Sequence, residues 1–282
     1  MNHKDNILII GGDKRYEYLY LELKDKGYKV SAFDLPNVYD NSDMDRFLDS
    51  DSRLSEFNII ILPIPYSKNK ITINSVSNNL ATDYLLSLLT PGTVIYGGCF
   101  DELFREKCHS LKLMVWDFVD SEIFSLYNSI ATAEGAILEA IMHSPLNLHK
   151  SKALVLGYGK CGSTLAKKLI SLNCEVGVCA RKIVQRAEAY DDGCDTFSFE
   201  KLKDKVYEFD FIFNTIPSMV LTKDILSKVK KNVTIIDIAS HPGGTDFEAC
   251  KKINLNAQLC LGLPGKYSPL TSAKVICNCI KT

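Results

Sequence analysis

The segment Gly157-Tyr158-Gly159-Lys160-Cys161-Gly162 constrains this chain more than any other. The apolar run Ala153-Leu154-Val155-Leu156 feeds straight into it. A segment carrying Leu165, Leu169 and Leu172 on one helical face leaves straight from it. Strand, spaced glycines and amphipathic helix in that order describe a tight strand-to-helix turn in a parallel sheet. The first glycine permits the turn, the second leaves room for a pyrophosphate, and the third lets helix and strand pack closely. Amide groups at the helix start then meet phosphate charge. The expectation is a dinucleotide held by Gly157, Gly159, Lys160, Cys161 and Gly162.

The rest of the chain repeats the alternation of strands and helices. Ile7–Ile10, Lys29–Phe33, Phe57–Leu62 and Thr93–Tyr96 read as short apolar strands. A helix is expected over about Tyr16–Lys26, ended by Gly27. A second block follows, with strands near Ala153–Leu156, Glu175–Ala180, Phe209–Phe213, Thr234–Ile238 and Ala257–Leu261. Between the blocks, Ile123, Phe124, Tyr127, Ile130, Ala133, Ile137 and Ile141 recur at three- and four-residue steps, which predicts a long helix over about Ser121–Met142. Short strands too apolar for a solvated face belong to parallel sheets covered by helices on both faces. The fold expected is α/β, with two Rossmann-like doubly wound domains, a cleft between them and the long helix joining them. The polar, Pro-containing stretch 144–151 marks the boundary. Residues 1–145 form the substrate or catalytic lobe, 146–266 the cofactor lobe, and the C-terminal helix within 267–282 returns to brace the first lobe.

Composition narrows the function. Residues 1–145 hold 13 Lys/Arg against 21 Asp/Glu, and residues 146–282 hold 20 against 13. The second half therefore suits a phosphorylated ligand, while no basic run is dense enough for nucleic acid. No apolar stretch is long enough to span a bilayer, and the first residues lack a signal-peptide pattern, which places the chain in the cytoplasm. The ten cysteines show no Cys-x-x-Cys and no zinc spacing, so they read as reduced core residues, and no metal is expected.

The end of the next strand sets the type of cofactor. An NAD site places Asp or Glu there for the ribose 2′-hydroxyl. This chain has Cys179-Ala180-Arg181-Lys182. Two cations without an acid suit a 2′-phosphate, and the planar Arg181 fork suits both phosphate and adenine. NADP is the cofactor expected. A competing pattern lies in the first block, where Gly11-Gly12-Asp13 follows a strand and Asp34 ends the next. The bulky, charged residues after Gly12 crowd a pyrophosphate, so Asp13 and Arg15 are assigned to substrate, with Arg15 as a carboxylate or phosphate clamp.

Three further loops follow strands of the second block: Asn214-Thr215-Ile216-Pro217, Ala239-Ser240-His241-Pro242-Gly243-Gly244 and Gly262-Leu263-Pro264-Gly265-Lys266. Ligands bind at the carboxyl ends of such strands. Thr215, Pro217, Ser240, Leu263 and Pro264 are therefore assigned to the cofactor, Asn214 and His241 to catalysis, and Lys266 to substrate. Asn128, Thr132 and Glu134 on the long helix complete the expected site. Glu134 reads equally as a base or as a carboxylate paired to a cation.

Several stretches together resemble a known family, the A subunits of bacterial dipicolinate synthase. They are Ile9-Ile10-Gly11-Gly12-Asp13-Lys14-Arg15, Tyr127-Asn128-Ser129-Ile130, Thr132-Ala133-Glu134-Gly135, Leu154-Val155-Leu156-Gly157, Asn214-Thr215-Ile216-Pro217, Pro242-Gly243-Gly244-Thr245-Asp246-Phe247 and Gly262-Leu263-Pro264-Gly265. The resemblance spans the chain. It implies NADP-dependent oxidation of dihydrodipicolinate, formed from 4-hydroxy-tetrahydrodipicolinate, to pyridine-2,6-dicarboxylate in the mother cell of a sporulating bacterium. It also implies a partner, the smaller, flavoprotein-like B subunit of dipicolinate synthase, and the assembly can include further copies of the chain. Ala131 and Leu270 depart from residues common in the family, Pro and Lys respectively. Two other readings remain open at this level: a different NADP-dependent dehydrogenase of 2-hydroxyacid or shikimate type, and a non-catalytic NADP-binding subunit.

Overall fold

The computed structural model describes residues 5–36 and 54–280. They fall into two compact units, one from the described residues within 1–127 and 268–282 and one from residues 128–267.

The first unit holds a five-stranded, wholly parallel sheet: β1 (Asn6–Ile10), β2 (Lys29–Phe33), β3 (Ile59–Ile61), β4 (Val94–Gly97) and β5 (Met114–Asp117), in the order β2-β1-β3-β4-β5. Helix α1 (Lys14–Asp25) follows β1. Its N-cap is Asp13, whose carboxylate accepts the Arg15 amide at 3.0 Å. It ends where Gly27, at φ +82°, lets the Tyr28 amide reach the Leu23 carbonyl and the Gly27 amide reach that of Lys24. Helices α2 (Thr82–Ser87) and α3 (Glu102–Ser110) follow β3 and β4.

Alternation along β1 divides the core. Ile7 and Ile9 pack with Tyr16, Leu19 and Leu23 of α1, while Leu8 and Ile10 pack on the other face with Ile60, Leu62 and Leu85. A strand buried on both faces must be apolar throughout, as Asn6–Ile10 nearly is. The C-terminal helix, residues 269–279, sets Ala273, Ile276 and Cys277 into the α1 side of this core. Strand β5 is absent from the elements expected from sequence; it is an edge strand in which the exposed Met114 and Trp116 alternate with half-buried neighbours.

Helix α4 (Glu122–His143) is the long helix that the periodicity predicts. The division between the units falls inside it, after Tyr127, rather than in the loop 144–151. Ala133, Ala136 and Ala140 are fully buried in the same core as Val155, Leu165 and Phe213, which joins this part of the helix to the second unit.

That unit carries six parallel strands: β6 (Lys152–Leu156), β7 (Glu175–Cys179), β8 (Asp195–Phe197), β9 (Phe211–Asn214), β10 (Thr234–Asp237) and β11 (Asn256–Leu259). Their order is β11-β10-β9-β6-β7-β8. Counted within the unit, this is the six-stranded doubly wound order of dinucleotide-binding folds, and it reverses direction between β6 and β9. Helices α5 (Lys160–Ser171) and α6 (Ile183–Asp191) follow β6 and β7. Ala153 and Val155 face one core, while Leu154 and Leu156 face the other with Ile212 and Leu202. Short helices α7 (Leu202–Lys205), α8 (Lys223–Leu226), α9 (Phe247–Lys252) and α10 (Leu263–Tyr267) complete the unit, and the C-terminal helix α11 is Pro269–Cys279.

Candidate functional site

Strand order reverses between β6 and β9, and in sheets of this kind ligands bind at the carboxyl ends of the strands at such a point. The glycine turn lies there. Gly157 sits at φ +91°. A side chain on Gly162 would collide with the Gly157 carbonyl, so only glycine lets α5 start this close to β6. Gly159 is different. A Cβ built on it meets nothing within 4 Å, so the space beside it is free for a ligand. Helix α5 has no side-chain cap and no acid in its first turn, which leaves its first amides open to an anion. Lys160 is exposed and Cys161 half-buried there; burial pushes the Cys161 thiol up, which keeps it protonated at neutral pH. Tyr158, between the first two glycines, turns away and donates to Asp192 at 2.5 Å.

At the end of β7, Arg181 and Lys182 are both exposed. The turn they occupy is braced by Arg186, which is not among the residues expected at the site. Arg186 donates from Nη1 to the Ala180 and Arg181 carbonyls, each at 2.8 Å. Its position one turn into α6 was the available signal. The brace engages both carbonyl oxygens, which would otherwise be free to repel a phosphate.

The loop after β9 is tied to the glycine turn. Thr215 donates to the Leu156 carbonyl from its amide at 3.1 Å and its hydroxyl at 2.8 Å. Its hydroxyl oxygen also lies where a Gly157 side chain would go. Pro217 is exposed beyond it. Asn214, expected to be catalytic, is fully buried. Its Nδ2 donates to Asp237 at 3.0 Å and to the Ile216 carbonyl at 3.1 Å, and its Oδ1 accepts the Ile216 amide at 3.2 Å. Both ends of the amide are committed to the protein, so Asn214 holds loops and does not face a substrate.

Three further expectations meet residues that are paired or buried. Glu134 is exposed, and its carboxylate is ion-paired with Lys168 at 2.8 Å. Lys266 is bound to Glu139 at 2.6 Å, and its neighbour Tyr267 donates to the same oxygen at 2.7 Å, which removes it as a free substrate cation. Leu263 and Pro264 are buried, with Leu263 packed over Gly135, so the open part of that loop is Leu261-Gly262. On α4, Thr132 spends its hydroxyl on the Asn128 carbonyl at 2.7 Å, and Asn128 itself is half-buried. Ser240 and His241 are exposed, and the His241 ring has no partner among the described residues.

In the first unit, Asp13 and Arg15 form a two-pronged pair. Arg15 Nε and Nη2 each lie 2.8 Å from an Asp13 oxygen, and Nη2 also donates to the Ile64 carbonyl at 2.9 Å. Arg15 is 5% exposed. Burial opposes its charge, but Asp13 together with Tyr16 and Cys99 outweighs that effect and holds its pKa above the ordinary value. The clamp is therefore a locked guanidinium with only Nη1 uncommitted among the described residues. The competing NAD-like pattern is filled by the chain itself. The Gly12 amide donates to the Asn74 carbonyl at 3.0 Å, and a Gly11 side chain would strike Ser75. Asp34, where a ribose carboxylate would stand, accepts the Ser77 hydroxyl at 2.6 Å and the Ser77 amide at 3.0 Å.

Among the described residues, no group of His, Cys, Asp or Glu is arranged to hold a metal, and no helix is long and apolar enough to cross a membrane.

A parallel-sheet unit with the glycine turn at its reversal point, preceded by a second parallel α/β unit, defines a chain with a dehydrogenase-type fold. Comparisons with known proteins make the class specific. Residues 6–119 match the model of the N-terminal domain of dipicolinate synthase A subunits, and residues 138–251 match that of shikimate/quinate 5-dehydrogenase. The chain is 34% identical over 224 residues to the A subunit of dipicolinate synthase in Bacillus subtilis (strain 168), covering 78% of this chain and 75% of that protein. The crystal structure of the Bacillus halodurans A subunit of dipicolinate synthase superimposes with a TM-score of 0.85 at 27% identity, over 98% of this chain and 96% of that one. The Bacillus subtilis structure gives 0.83 at 29% identity, over 99% and 95%. The chain belongs to the family of dipicolinate synthase A subunits.

Proposed function

We propose that this chain is an NADP-dependent oxidoreductase that converts dihydrodipicolinate to pyridine-2,6-dicarboxylate during sporulation, in the mother-cell cytoplasm, together with the flavoprotein-like B subunit of the synthase. The observation that carries the cofactor reading is the pairing of an open Gly159 turn with two exposed cations, Arg181 and Lys182, and no acid beside them at the end of β7. Those residues fit NADP: the glycine turn and the uncapped start of α5 suit the pyrophosphate, and Arg181 with Lys182 suits the 2′-phosphate. Family membership supports the substrate, and the naming of the relatives as one subunit of a synthase supports a partner chain.

When bound, NADP supplies the hydride acceptor. The protein's own residues then have two tasks, to orient a planar dicarboxylate and to take up a proton as the ring becomes aromatic. Arg15 offers Nη1 to a carboxylate from a guanidinium already fixed by Asp13 and Ile64. Among the candidate bases and cations at the site, Glu134 and Lys266 are ion-paired, whereas His241 is exposed and unpartnered among the described residues, which supports His241 as the proton acceptor.

The test supplies freshly generated cyclic intermediate and NADP, with and without the flavoprotein-like partner, and follows NADPH absorbance. Turnover by the chain alone supports the full reading. NADP binding without turnover, restored by that partner, places the chemistry in the assembly. Turnover of a stable 2-hydroxy acid or of shikimate in place of the cyclic dicarboxylate overturns the substrate assignment.

A further inference from the structure

Asp237 closes β10 with its side chain fully buried, and no cation pairs with it among the described residues. Its Oδ1 accepts from Asn214 Nδ2 and from the Ala239 amide, both at 3.0 Å, and its Oδ2 accepts from the Gly244 amide at 3.2 Å. The two strand ends are in register, Asn214 beside Asp237. Gly244 returns the connection, since its carbonyl accepts the Val220 amide at 2.9 Å and the Leu221 amide at 2.8 Å. A side chain on Gly244 would press on the Ile216 carbonyl at 2.5 Å and the Ser218 carbonyl at 2.8 Å. The loop after β9 and the loop after β10 are thus one closed unit, with a single carboxylate at its centre.

We infer that Asp237 is a positioning residue for the carboxyl ends of these strands: it sets the Thr215–Pro217 and Ala239–Gly244 loops in the shape that receives the nicotinamide half of the cofactor. This rests on the NADP reading above. The chemistry explains why the residue is an aspartate. Two oxygens take three N–H donors, and an asparagine would turn an NH₂ group toward one of them. The loop would lose one tie and gain a donor–donor contact inside the protein. Asp237 touches no ligand directly; it acts through the backbone of residues 239 and 244 and, by way of Asn214, of residue 216.

The test compares Asp237→Asn with Asp210→Asn. Asp210 stands just before β9, at the amino end of the sheet, where it accepts the Lys152 amide at 2.9 Å and the Lys230 ammonium at 2.7 Å. Both exchanges remove a carboxylate, but only the first lies at the carboxyl end of the sheet. Hydrogen exchange is measured at the Ile216, Ala239 and Gly244 amides, and NADP affinity by calorimetry. Asp237→Asn is expected to speed exchange at those amides and to weaken NADP binding by about tenfold or more, the worth of one lost hydrogen bond. Asp210→Asn is expected to leave both unchanged. If Asp237→Asn does not fold, Asn214→Ser serves: it keeps both backbone ties to Asp237 but removes the acceptor of the Ile216 amide, so it is expected to speed exchange chiefly at Ile216 and to weaken NADP binding. Native exchange and native affinity in Asp237→Asn, or an equal loss in Asp210→Asn, overturns the inference. If the unaltered chain binds no NADP while Asp237→Asn still loosens those amides, the cofactor reading fails and the latch stands.

Discussion

The Lys266 ammonium sits 2.6 Å from the buried carboxylate of Glu139, so the loop after β11 is fastened to the long helix α4 by an ion pair. Burial opposes the Glu139 charge, but Lys266, Tyr267 and His143 outweigh it and hold its pKa below the ordinary value of 4.5. A carboxylate with a lowered folded pKa stabilises fully above its unfolded value, and that stabilisation is lost as pH falls through the folded value. Glu139→Gln should therefore lower stability by about 1–2 kcal/mol at neutral pH. Thermal unfolding followed against pH should show the gap between variant and parent closing once pH drops well below 4.5. A gap of constant size down to the acid limit would remove the ionised carboxylate as its cause.

Gly159 and Gly162 are three residues apart and should fail in different ways. Gly162→Ala drives a methyl group against the Gly157 carbonyl, so it should destabilise the second unit by about 1–3 kcal/mol and abolish dinucleotide binding together. Gly159 has φ −89°, which alanine adopts readily, and open space beyond it. Gly159→Ala should keep the parent melting temperature and still lose most NADP affinity, because the methyl group enters the space required by the pyrophosphate. Unchanged NADP affinity in Gly159→Ala would mean that the dinucleotide does not cross this turn.

Arg181 is exposed and makes no side-chain bond of its own among the described residues, while Arg186 holds the carbonyls beneath it. Arg181→Ala should weaken NADP binding by about 10–100-fold, the worth of a charge-assisted hydrogen bond, and change NAD binding little. Arg186→Ala should produce a smaller loss, since it relaxes the turn without removing the exposed cation. The NADP effect should shrink at high salt. Calorimetric titration with each cofactor decides, and equal affinity for NAD and NADP in the parent chain would end the 2′-phosphate assignment.

Periodicity and glycine spacing made the architecture legible. Strands too apolar for any exposed face imply a sheet covered by helices on both sides, and the turn at Gly157 needs glycine for reasons visible in its spacing. Side-chain commitments were not legible. Lys266 and Asn214 read as free functional groups and Glu134 equally as a base or a paired carboxylate, yet each is held by a partner: Lys266 by Glu139, Glu134 by Lys168 and Asn214 by Asp237. Those partners lie 127, 34 and 23 residues away, beyond any local pattern. Asp34 shows the same limit. Its spacing from Gly11-Gly12 imitates a ribose site, and nothing in that spacing reveals that Ser77, 43 residues on, already occupies the carboxylate. The short edge strands β5 and β8 escaped because three or four residues with mixed exposure carry too little pattern to separate from loop.

His241 sits in a loop whose two ends are tied to Asp237, through the Ala239 amide at 3.0 Å and the Gly244 amide at 3.2 Å. The imidazole itself is exposed and unpartnered among the described residues. A fixed loop presenting a free ring suits proton transfer, because orientation is set by the backbone and the nitrogen stays available. His241→Asn should lower kcat by about 10²–10⁴-fold, the usual contribution of a general base. NADP affinity should hold, since the ring is not part of the phosphate-binding turn. Lost turnover accompanied by equally lost NADP affinity would indicate a disturbed loop instead, and turnover within twofold of the parent would assign the proton to another group.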